Sequence, residues 1–423
     1  MKYLFADGLD FVDPDYDFIN DRNAAGRQPY WDDQYPHELL RSAPYDGILV
    51  SRGIVGDHLF KGHYTASQSM RFRREGARKF LRFDKPGFQS KMLMGDCGAF
   101  SYVQMERPPY IAADMVEFYG DAGFTHGVSI DHIIFDFHSD NPPEQQMGDD
   151  VVNRYQITLD NARDFLKESA RLRNFTPMGA VQGWSPESMA IAASELEKMG
   201  YGYIAVGGLV PLRSPQIHEV LRAIRKRVSP SLKIHLLGFA KAEQIHEFVN
   251  YGITSFDSTS PLIRAFKDAK RNYYVSLPDG GLDYYSAIRI PQATENPRLM
   301  QAVKRGDYRQ EDLVVMEQRA LKALRRYDRG QGSAEEAIEA VSEYSKPMIW
   351  DLKKTKEKNE AEVEKYRDLT SRTIRDMPWK NCSCEVCRGA SVEVAIFRAS
   401  NRNKRRGFHN LTIYYNHLKA TLG

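Results

Sequence analysis

The chain has 423 residues, 42% hydrophobic and 27% charged, an ordinary globular composition that excludes a disordered or fibrous protein. No run approaches the roughly 18 apolar residues of a membrane span, and Met1-Lys2-Tyr3-Leu4-Phe5-Ala6-Asp7 does not read as a signal peptide, so a cytoplasmic protein without membrane contact is expected. The net charge of +3 creates no global field for nucleic acid, and the two local basic runs, Arg71 to Arg82 and Arg398 to Arg406, suit solvated surface as well as phosphate contact.

Short apolar runs bounded by glycine or aspartate lie at residues 2–6, 47–51, 91–95, 127–131, 178–182, 203–206, 234–238 and 254–257. Each reads as a buried strand. Helical patterns occupy 112–122, 151–172, 186–199, 215–228 and 241–250. Such alternation implies a parallel sheet with right-handed crossovers, and eight repeats imply an α/β fold of the closed (β/α)₈ TIM-barrel type over residues 1–265. Chemistry in such a barrel belongs at the C-terminal strand ends. The residues there are Asp7, Asp96, Asp131, Gln182, Gly207, Gly208, Gly238 and Asp257. A single aspartate after a strand commonly caps the next helix; the whole set on one rim reads as a site.

After Asp257 the repeat stops. Residues 266–374 carry a turn at 278–281 and charged helical stretches such as 320–327 and 353–367, which read as an inserted helical element with solvated faces. Residues 375–423 form the third expected domain, a small zinc-binding subdomain with a closing amphipathic helix over 409–422. Three of the four cysteines, Cys382, Cys384 and Cys387, make a C-x-C-x-x-C cluster too tight for a disulfide framework. Zinc takes four such ligands in a tetrahedron; His409 is the first candidate for the fourth, with His417 on the same helix as its rival. A Cys₃His set leaves no open position, so this zinc would be structural.

Several segments, in order, resemble the tRNA-guanine transglycosylases: Asp96-Cys97-Gly98-Ala99-Phe100, Val181-Gln182-Gly183, Ala205-Val206-Gly207-Gly208-Leu209, Leu237-Gly238 and Phe256-Asp257-Ser258, then the cysteine cluster with His409-Asn410-Leu411. The opening from Tyr3 to Pro14 is similar to the DpdA group, relatives that place 7-deazaguanines in DNA alongside companion proteins that include an ATPase. Two departures stand out. The C-terminal RNA-binding domains of archaeal relatives are not expected after His409, and about 100 extra residues separate Phe256-Asp257-Ser258 from the cysteines, far more than a connector needs.

The resemblance implies exchange of guanine in DNA for a free 7-deazaguanine base such as 7-cyano-7-deazaguanine (preQ0), by double displacement through a covalent aspartyl intermediate. It makes Asp257 the nucleophile and Asp96 the general acid/base. Asp131 would lie at the floor of the base pocket, Gln182 with the Gly207 and Gly208 backbone would read the purine edge, and Phe100 would either stack on the base or pack under the rim. His132 is expected to pack. An internal base must be flipped out or presented single-stranded, a need that a companion ATPase would serve, since this chain has no Walker-type loop. The same chemistry on tRNA is the first alternative and a non-catalytic nucleic-acid-binding subunit the second. A metal-dependent hydrolase fits poorly, because the rim offers aspartates without suitable histidines.

Overall fold

The computed structural model describes residues 1–239 and 241–422. They form two compact units, one comprising residues 1–9, 45–260 and 422, the other residues 10–44 and 261–421.

The first unit is a closed barrel of eight parallel strands: β1 (Lys2–Ala6), β2 (Gly47–Ser51), β3 (Met92–Asp96), β4 (His126–Val128), β5 (Thr176–Val181), β6 (Tyr203–Val206), β7 (Lys233–Leu236) and β8 (Ser255–Asp257). Their spatial order is their chain order, and β8 closes on β1 with Ser255 opposite Lys2 and Asp257 opposite Leu4. Runs such as Ile48-Leu49-Val50 and Ile204-Ala205-Val206 are buried along their length, which suits strands covered on both faces. Leu4, Leu49, Met92, Met94, Val128, Met178, Ala180 and Ala205 form one buried cluster, with Tyr203 as its largest member. Fully burying a side chain of Leu or Met size contributes roughly 1.5–3 kcal/mol, so this cluster stabilises the barrel.

The helices between strands include α1 (Ala112–Ala122), α2 (Asp149–Ser169), α3 (Pro186–Met199) and α4 (Ser214–Arg227). The close approach of α1 depends on glycine: a Cβ on Gly95 or Gly127 would lie 2.4 or 2.5 Å from the Tyr119 ring. Ser185 caps α3 by accepting from the Ser188 amide, and Pro186 supplies a first helical residue that needs no donor.

Two expectations shift. The ladder of β4 ends at Val128, because the Ser129 side chain accepts the Ala180 amide and leads residues 129–131 out of register. The expected helix over 241–250 is a 3₁₀ segment, Ala242–Tyr251, whose buried residues Ala242, Ile245 and Phe248 recur every three positions as that helix requires.

The second unit holds a helical array, α5 (Pro297–Lys304), α6 (Gln310–Asp328), α7 (Ala334–Ile349) and α8 (Lys356–Asp376), then α9 (Glu385–Ala390) and α10 (Ser400–Leu422). The array is not all solvated face: α7 buries Ala337, Ile338, Val341, Tyr344 and Met348. Residues 10–44 belong to this unit, although they precede most of the barrel in the chain. The second basic run joins them to α10. Arg398 and Arg402 both pair with Asp21, Arg405 donates to the Asp13 and Pro14 carbonyls at 2.7 and 2.8 Å, and all three are buried. Arg398 also pairs with Glu317 at 2.6 Å and Arg402 with Glu393 at 2.8 Å, while Arg406 is spent on the Ala265, Val394 and Ile396 carbonyls. These arginines are internal fasteners and offer nothing to phosphate. Among the described residues, no helix is long and apolar enough to cross a membrane.

Candidate active site and metal centre

Asp96 ends β3, Asp257 ends β8, Gln182 follows β5 and Gly207 follows β6, so the barrel carries them to its C-terminal rim. Asp131 arrives on the extended segment after β4. Its Oδ2 accepts from Gln182 Nε2 at 2.6 Å and its Oδ1 from Cys97 Sγ at 3.0 Å. The Tyr102 hydroxyl lies 3.0 Å from both Cys97 Sγ and the Asp131 carbonyl. Gln182 Oε1 accepts the Ile134 amide at 3.3 Å, which fixes the carboxamide's orientation. Gly207 is required beside it, since a Cβ there would stand 2.4 Å from Gln182 Nε2, and Gly208 takes a left-handed φ of +70°.

Asp257 is 5% exposed. Its Oδ1 accepts from the Gly238 amide at 2.8 Å and lies 3.1 Å from His235 Nε2. Behind it, His235 Nδ1 is 2.6 Å from Ser255 Oγ, and Ser255 Oγ is 2.6 Å from the Tyr203 hydroxyl. The sequence reading missed His235, Ser255 and Tyr203. A signal existed: Ser255 and Asp257 are two apart on one strand and so share a face, and His235 is a polar interruption in an apolar strand.

Burial raises the Asp96 carboxyl to about 6, and the nearby Asp257 and Asp131 carboxylates push the same way, against hydrogen bonds from Ser51 and the Gly98 amide. Asp131 is also raised by burial, with the Cys97 and Gln182 donors opposing. Cys97 is held far above its ordinary value by burial and by Asp131, so it remains a thiol that donates. The rim therefore combines a carboxyl able to give and take a proton near neutral pH with two further aspartates held by fixed donors.

Phe100 is 65% exposed and sits 6.3 Å from the half-exposed ring of Phe135, so it does not pack under the rim. His132 is buried, with its ring nitrogens against the Met105 carbonyl and Arg154. Asp7 accepts from the Tyr64 hydroxyl at 2.7 Å. In the first basic run, Arg71 pairs with Glu75, Arg73 donates to the Gly56 carbonyl and Arg78 to those of Phe88 and Lys91.

In the second unit the Sγ atoms of Cys382, Cys384 and Cys387 lie 3.6, 3.4 and 3.3 Å from His409 Nδ1, and all four ligand atoms fall within 4.8 Å of one another. Tetrahedral zinc with ordinary Zn–S and Zn–N bonds has an S···N edge of about 3.5 Å, so the donor set fits and could hold a metal ion such as zinc. His409 Nε2 donates to the Tyr274 carbonyl at 2.7 Å, fixing the tautomer that leaves Nδ1 free to ligate, and the Tyr273 ring stacks on the imidazole. His417 is not the fourth ligand: it lies outside this cluster of ligand atoms, with its Nδ1 2.6 Å from the Gly280 carbonyl.

A closed parallel barrel with three aspartates and a glutamine on its C-terminal rim is an enzyme scaffold, and comparison with known proteins narrows the class to the pentosyltransferases. The family model for queuine tRNA-ribosyltransferase matches residues 57–269. A DNA-guanine transglycosylase of Salmonella montevideo is 40% identical over 427 residues, covering 100% of this chain and 97% of the relative. The chain belongs to the queuine tRNA-ribosyltransferase family and is a guanine transglycosylase.

Proposed function

We propose that the chain exchanges guanine in DNA for a 7-deazaguanine, preQ0, by double displacement. Asp257 attacks C1′ as the bond from C1′ to guanine N9 breaks, the electron pair leaves with the base, and Asp96 donates a proton to it. The incoming base then gives a proton to Asp96 and attacks C1′, and the ester bond to Asp257 breaks with its electron pair returning to the carboxylate. Asp131 and Gln182 bind the purine's polar edge, Gly207 and Gly208 let backbone approach it, and Phe100 stacks on an unpaired base.

The observation that carries this reading is the grouping of Asp257 with Asp96, whose carboxyl is raised to about 6 and can therefore act as acid in one half-reaction and base in the other. DNA is favoured as the polymer because the similarity to the DNA-guanine transglycosylase spans the whole chain. Zinc at Cys382, Cys384, Cys387 and His409 would be structural, joining the turn before α9 to α10. Flipping the target base costs a few kcal/mol, which companion proteins, an ATPase among them, would help to meet.

The test is expression in cells that make 7-deazaguanines, with and without neighbouring genes, followed by mass spectrometry of digested DNA and tRNA. A deazaguanine in DNA that disappears with Asp257→Ala supports the proposal. Modification confined to tRNA moves the substrate and leaves the chemistry standing. No modification in either polymer under any condition rejects it in favour of a binding subunit.

A further inference from the structure

The nucleophile reading leaves three buried polar groups of the barrel interior without a task. His235 and Ser255 have no solvent exposure, and Tyr203 has 2%. His235 stands opposite Ser255 in the β7–β8 register, so their side chains share a face. Three polar side chains in a barrel core cost stability unless each hydrogen bond is made, and apolar residues would fill the same space without that condition.

One proton arrangement satisfies all of them. With the imidazole neutral and its hydrogen on Nε2, Tyr203 donates to Ser255 Oγ, Ser255 donates to His235 Nδ1, and His235 Nε2 donates to Asp257 Oδ1. Every donor points towards the carboxylate. Burial raises the Tyr203 phenol to about 12, against the Ser255 hydrogen bond, so the start of the chain keeps its proton. The Gly238 amide reaches the same oxygen, Oδ1, at 2.8 Å. Among the described residues, neither hydrogen bond falls on Oδ2.

We infer that His235, backed by Ser255 and Tyr203, is the positioning residue of the nucleophile: with the Gly238 amide it locks Oδ1 of Asp257 and leaves Oδ2 as the oxygen that bonds to C1′. The inference rests on Asp257 being the nucleophile. In the intermediate Oδ1 becomes the ester carbonyl. When the second base attacks and the bond from C1′ to Oδ2 breaks, the electron pair returns to a carboxylate whose other oxygen already holds two donors. Fixed donors aimed at developing charge are the usual source of such stabilisation.

The test follows exchange of radiolabelled guanine into DNA by wild-type protein, His235→Leu, His235→Gln, Ser255→Ala and Asp257→Ala, with melting temperatures measured alongside. His235→Leu is expected to lower kcat about 10²-fold while the KM for free base stays within about threefold, because no base-binding group is touched. His235→Gln, which keeps an N–H for Oδ1, should recover to within about tenfold of wild type, and Ser255→Ala should fall between them. Should His235→Leu fail to fold, His235→Gln and Ser255→Ala decide between themselves. Wild-type kcat in His235→Leu overturns the positioning role, as does a folded His235→Gln as inactive as a missing nucleophile, or a loss confined to KM. Exchange that survives in Asp257→Ala overturns the nucleophile assignment instead, whatever the His235 variants do.

Discussion

The two compact units both bury ionisable side chains, and they treat the charges in opposite ways. In the second unit each buried arginine from Arg398 to Arg406 meets acceptors: Arg398 has Asp21 and Glu317, Arg402 has Asp21 and Glu393, and Arg405 and Arg406 have backbone carbonyls. At the barrel rim, Asp96, Asp131 and Asp257 are gathered within each other's influence, and among the described residues no lysine or arginine pairs with any of them. Their donors are two backbone amides, a hydroxyl, a thiol, a carboxamide and an imidazole. Paired charges fasten a fold. Like charges held together without a cation store an electrostatic cost, and such arrangements mark sites where proton affinity has to be shifted.

The contrast is broken most severely at its two extremes. Asp257→Ala should reduce base exchange by at least about 10⁴-fold, and the melting temperature should change little, because the loss removes one of the mutually repelling carboxylates. Activity retained in that variant would show that the rim's like charges serve something other than this nucleophile. Cys384→Ser tests the other unit. It should lose bound zinc by elemental analysis and cost several kcal/mol of stability in thermal unfolding. A folded variant with full zinc content would refute the site.

Much of the barrel was legible because parallel strands buried on both faces must be short apolar runs, and 47–51 or 203–206 offer no other reading. The rim aspartates were legible for the same reason, since strand ends are fixed once the strands are. The second unit hid its organisation. A run such as Arg398 to Arg406 looks the same whether it faces water or Asp21, whose position nearly 400 residues earlier carries no local signal. Residues 10–44 have no helical or strand period beyond the short helix Pro36–Leu39, so nothing in the pattern assigns them to α10. Between His409 and His417 the spacing is silent, and only the placement of His409 Nδ1 among the three sulfurs decides.

A smaller effect sharpens the electrostatic side of the comparison. Asp96 has its folded value raised from 3.8 to about 6, so the folded state binds its proton more tightly than the unfolded chain does. Stability then falls as pH rises through that interval and is level above it. Asp96→Asn should remove this dependence, gaining about 3 kcal/mol above pH 7 and nothing below about pH 4, while exchange is lost. A stability difference that does not vary with pH would mean that the Asp96 carboxyl is not strained by its surroundings.

The smallest effect concerns the only predicted site residue that is mostly in solvent. The Phe100 ring is 65% exposed and its neighbour Phe135 is 51% exposed, so neither contributes much to the core. A large exposed aromatic loses little stability on truncation, and Phe100→Ala should shift unfolding by less than about 0.5 kcal/mol. If the ring stacks on an unpaired base, the same change should weaken DNA binding by roughly 1–3 kcal/mol per base. Binding to single-stranded and duplex oligonucleotides, read by fluorescence anisotropy at fixed salt, separates the two quantities. Loss of affinity for the single strand at constant stability assigns the ring to the substrate; equal affinity in both variants would return Phe100 to the surface and leave base recognition to Asp131, Gln182 and the glycines.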